Sequence, residues 1–117
     1  MTARTLTKAQ LKEVRKLAGM AYERELAKAV GDLQEQFESW RRGEMDVFAL
    51  NERIHQFHDG VSRNLYKQYV FGEADWNLAT AIRNEVVKES EVNRLILENL
   101  GSLIDLGKQF ADLGKKE

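Results

Sequence analysis

Residues 46–71 read DVFALNERIHQFHDGVSRNLYKQYVF. The stretch holds both histidines of the chain, two of its three tyrosines and three of its five phenylalanines. Val47, Leu50, Ile54, Phe57, Val61 and Leu65 recur at steps of three and four, which stacks them on one face of an α-helix. Phe48, His55, Ser62 and Tyr69 follow at heptad intervals, with Asn51, His58 and Leu65 interleaved, and form a second stripe beside the first. At about 100° per residue the two stripes cover roughly 200° of the helix, about twice what a surface helix needs. A helix occluded that far round has more than one neighbour. The stretch is therefore read as the central helix, over 47–71.

On its N-terminal side the chain prepares a longer helix. Thr7 and Gln10 have capping-box spacing, and Leu6 and Leu11 have the spacing of a hydrophobic staple. From Leu11 through Val14, Ala18, Tyr22, Leu26, Val30, Leu33, Phe37 and Trp40 the apolar positions keep a helical step. Arg41 and Arg42 complement the negative end of the dipole, and Gly43 supplies the left-handed closing residue. The expected helix spans 8–42. The short link after it makes the two helices antiparallel neighbours, with Asp46 as the N-cap of the second. In that hairpin Gly31 faces Phe57 or His58 and Gly19 faces Tyr69, so that a large ring covers each glycine.

Towards the C-terminus, Gly72 stops the central helix and Asp75 caps a shorter one over 76–86, through Leu78, Ala79 and Ile82. Neither glycine nor proline marks Asn84 to Glu89, where a kink or short turn is expected. Val92, Ile96, Leu100, Leu103, Gly107 and Phe110 then define a final helix over 89–113, ended by Gly114 and a charged tail. The expected fold is all-α: an antiparallel hairpin of two long helices plus a shorter third and a long fourth. It is four-helix-bundle-like, oligomeric and a single domain over 1–117.

Bulk chemistry narrows the function classes. The 117 residues contain no proline and no cysteine, are 43% hydrophobic and 32% charged, and carry a net charge of −1. No disulfide framework or thiolate metal site is possible, and a reducing, cytoplasmic setting is expected. The opening MTARTLTKAQLKEV is charged and lacks the apolar run of a signal peptide. No segment reaches the 18 or so apolar residues of a membrane span. Charge near neutrality gives no general pull toward nucleic acid, and no nucleic-acid motif is present.

Three constellations carry candidate chemistry. Glu52, His55, His58 and Asp59 lie close together on the central helix, and Glu-x-x-His is a half-site pattern of carboxylate-bridged di-iron bundles. Zinc or iron is the metal such a set would take. Its weakness is the missing second half. The inward positions of the first helix opposite it are Leu33 and Phe37, and Glu52 itself falls nearly opposite Ile54, toward solvent. Arg63, Tyr66, Lys67 and Tyr69 offer cations and hydroxyls to an anion, but such residues more often form covers with wet tips. Lys8, Lys12, Arg15 and Lys16 make a basic face that reads as solvated, or as balanced by Glu85, Glu89 and Glu91. No nucleophile elbow or phosphate loop is present, and Ser62, His58 and Asp59 on adjacent turns of one helix cannot line up as a triad.

The sequence therefore reads as a small non-enzymatic helical protein that self-associates or binds a protein partner. Its interaction surface would carry Phe48, His55, Ser62, Tyr66 and Tyr69. No cofactor, membrane or nucleic-acid partner is expected. The alternative is a metal- or ligand-binding bundle built on His55 and His58.

Overall fold

The computed structural model describes residues 6–115, which are all-α with no strand among them. Helix α1 spans Lys8–Arg41, 34 residues or about 51 Å. Its capping box forms as read: the Thr7 N–H donates to Gln10 Oε1 at 2.9 Å, and the Gln10 N–H to Thr7 Oγ1 at 3.1 Å. Leu6, the outer half of the staple, is buried. At the other end the Glu44 N–H donates to the Ser39 carbonyl and the Gly43 N–H to the Trp40 carbonyl. With Gly43 at φ 80° this is a Schellman closure, and glycine is there because only it enters that region freely.

Helix α2 begins a few residues later. Asp46 caps it, accepting from the Ala49 N–H at 2.7 Å. It runs Val47–Gln56, widens into π turns at Phe57–Ser62, narrows over Arg63–Tyr66 and widens again over Lys67–Phe71. The widening has a reading in the packing. Phe57, Val61, Leu65 and Tyr69 are spaced by four, and each such step drifts about 40° round an ordinary α-helix. A wider turn takes up that drift, so Phe57, Leu65 and Tyr69 stay on the packed face although eight and four residues separate them.

Helix α3 spans Ala74–Arg83. Its N-cap is Glu73, which makes no side-chain cap bond. Asp75, expected as the cap, lies inside the first turn and accepts from the Trp76 N–H at 2.7 Å. The helix also ends before the expected Val86. The Val86 N–H turns back to the Ala81 carbonyl and the Glu85 N–H to the Ile82 carbonyl, with Glu85 at φ 62°. This is the closure seen after α1, with glutamate where glycine is the rule, so no glycine marks the break in the sequence. A 3-10 turn comes next at Glu89–Glu91, held by the Lys88 N–H to Glu91 Oε2. Helix α4 therefore begins at Arg94 rather than Glu89, with Asn93 accepting from the Leu95 N–H at 2.8 Å, and runs through Lys115. The side chain of Phe110 and the end of the charged tail lie outside the described residues.

Contacts within the chain gather into two compact units: Met1–Ala21 with Gly72–Glu117, and Tyr22–Phe71. The first holds nearly all the core. Val14, Leu17, Ala18 and Ala21 of α1, Leu78, Ala79, Ala81 and Ile82 of α3, Val87, Val92, and Ile96 and Leu100 of α4 are buried there. The second is a helical hairpin whose described residues include only two buried apolar side chains, Leu50 and Leu65. No helix among the described residues is long and apolar enough to cross a membrane.

Candidate interaction surface

Two helices side by side can each cover one stripe of the other, and the residues outside that stripe meet solvent. The hairpin unit illustrates the consequence. Its inner seam is half-buried, at Tyr22, Leu26, Ala29 and Leu33 of α1 and at Ile54 and Phe57 of α2. Outside the seam stand exposed Val30, Phe37 and Trp40 of α1 and Val47, Phe48, Val61, Tyr66, Val70 and Phe71 of α2. Phe48 is 82% exposed and Phe71 75%. In the other unit only Leu95 and Leu106 join them among the described residues. Single exposed apolar residues are ordinary, and their concentration on one unit makes that unit the candidate surface.

Between the two helices of the hairpin an open groove of about 350 Å³ has a floor of Ala29, Leu33, Phe57 and Val61. Its rims carry Asp32 and Gln36 on α1 and Arg53 and Gln56 on α2. Asp32 also meets Lys28 one turn back at 3.8 Å, an exposed pair of little energetic weight. Near the open end, Tyr22 and Tyr69 stack with ring centroids 5.0 Å apart and planes 6° from parallel. The Tyr69 hydroxyl donates to the Glu25 carboxylate. Burial first, and then that bond and the negative charge of Glu25, hold the Tyr69 phenol above the ordinary tyrosine range. Tyr66 instead lies exposed, edge-on to Phe71 at 5.7 Å.

The residues singled out in the sequence are thus dispersed. Phe48, His55 and Tyr66 are exposed, while Ser62 and Tyr69 are drawn half inside. The π turns separate them, since each shifts the phase of the residues beyond it, and a heptad count assumes a constant phase. Glu52, His55, His58 and Asp59 are all exposed, and among the described residues no three His, Cys, Asp or Glu side chains converge as a metal would require. Gly19 and Gly31 have no ring over them: a Cβ at either would meet nothing within 4 Å. Lys8, Lys12, Arg15 and Lys16 are exposed.

The first unit has its own cleft, of about 740 Å³, over Ile82, Val87, Leu97 and Ile104. Arg83 and Lys88 stand on its walls against Glu85, Glu89 and Asp105, a mixture that selects no one ligand charge. Arg83 lies across Gly107, where a Cβ would sit 2.1 Å from Nη1, and its Nε donates to Asn84 Oδ1 at 3.4 Å. The turn expected over Asn84 to Glu89 is present, but this cleft was not legible in the sequence, because its walls come from α3, that turn and α4 together. No family model, no curated protein and no solved structure matches the chain.

Proposed function

We propose that the protein is a non-enzymatic interaction module whose Tyr22–Phe71 hairpin associates with a second copy of itself. One observation carries the reading: nearly all the core sits in one unit and most of the large exposed apolar side chains sit in the other. A hairpin with two buried apolar side chains has little to hold it, and a second hairpin laid against it supplies the missing layer. The absence of cysteine suits a cytoplasmic setting for such a module.

Light scattering at micromolar concentration tests the reading directly. The expected mass is about twice the 13.5 kDa of the chain. A monomer that persists to several hundred micromolar would end it.

A further inference from the structure

Resting on that reading, we propose that the groove over Leu33 and Phe57 is the face on which the second copy sits, with α1 of each chain against α2 of the other. The charges on its rims argue for this pairing. The α1 rim carries an acid, Asp32, and the α2 rim a base, Arg53, with glutamines Gln36 and Gln56 beside them. In a two-fold contact the same patch serves both chains, so whatever faces across it must be complementary to itself. Laying α1 on α1 would set Asp32 against Asp32 and Arg53 against Arg53. Laying α1 on the α2 of the second copy instead brings each acid beside a base, twice over, with amides between.

The floor fits the same occupant. Phe57 is half-buried and Val61 exposed, so a hairpin of the same composition can set its own Ala29 and Leu33 over them, and its own Phe57 and Val61 over the Ala29 and Leu33 of the first, and withdraw them all from water. The side chains on offer match the groove: apolar in the middle, one acid and one base at the rims. A partner of uniform charge would satisfy one rim and oppose the other.

Charge reversal with sedimentation equilibrium tests the arrangement. Asp32→Arg and Arg53→Asp, each alone, place like charges together at both symmetric contacts and should weaken association about tenfold or more. The double variant Asp32→Arg, Arg53→Asp restores opposite charges and should bring the constant back to within about threefold of wild type. Phe37→Glu supplies the contrast, because Phe37 is exposed yet lines no part of the groove. Helical circular dichroism confirms that each variant is folded.

A wild-type monomer overturns the self-association reading itself. A wild-type dimer indifferent to both reversals, or weakened by both with no recovery in the double variant, leaves that reading standing and overturns this face. So does a dimer abolished by Phe37→Glu and untouched by the reversals.

Discussion

Tyr69 shows how far one side chain can depart from the habit of its residue type. A tyrosine on a long helix ordinarily covers apolar surface and keeps its hydroxyl wet. Here the ring stacks on Tyr22 and the hydroxyl donates to Glu25. The folded chain therefore favours the neutral phenol, and its ionisation is pushed upward. The stabilisation is complete below the ordinary tyrosine value of about 10 and is lost as pH rises through the higher folded value. Tyr69→Phe should cost about 1 kcal/mol at neutral pH, below the roughly 1.5–3 kcal/mol of a bond to a charged acceptor because the pair is only half-buried. In return the variant should lose less stability than wild type above about pH 10. Urea midpoints at neutral and alkaline pH measure both effects. Parallel alkaline losses in the two proteins would show that Tyr69 is not the group responsible.

At the scale of elements, legibility followed local chemistry. The ends of α1 and the start of α2 were readable because Thr7, Gln10, Gly43 and Asp46 each do what their side chains are suited to. Two features were not. The π turns of α2 arise from packing, as a run of four-residue spacings is held to one face, and their place is not marked by any residue type. A turn was expected over 84–89 and is there, but the exact end of α3 was hidden because Glu85 occupies a left-handed position that glycine normally fills. That position costs a non-glycine residue about 1–2 kcal/mol, against about 0.5–1 kcal/mol for the extra chain freedom of glycine. Glu85→Gly should therefore stabilise by about 0.5–1 kcal/mol, while Gly43→Ala, at the matching position after α1, should destabilise by a similar amount. Denaturant midpoints at unchanged slope report both. A destabilised Glu85→Gly would mean that the glutamate side chain contributes more than its backbone strain costs, and would turn attention to the cleft it lines.

At the scale of the whole molecule, the candidate surface was legible only in outline. The sequence showed more apolar periodicity on α2 than one neighbour could cover, but not that the core would gather elsewhere, around Leu78, Ile96 and Leu100. The distribution has a dynamic consequence that does not depend on which face of the hairpin is used. Amide exchange through local opening reflects the stability of each cooperative unit, and anything that binds only the closed form slows it by mass action. If the hairpin of Tyr22–Phe71 is held mainly by a second copy, its amides should exchange more slowly as protein concentration rises. One dimer releases two hairpins, so the free fraction falls as the square root of concentration. A hundredfold increase should then slow exchange in α2 about tenfold. Amides of α3 and the first turns of α4, which close over Leu78, Ile82, Ile96 and Leu100 within one chain, should exchange at the same rate throughout. Hydrogen–deuterium exchange read by mass spectrometry at two concentrations distinguishes the units peptide by peptide. Exchange in α2 that ignores concentration would show that the two-helix hairpin is stable alone, and that its exposed apolar residues are not what holds it closed.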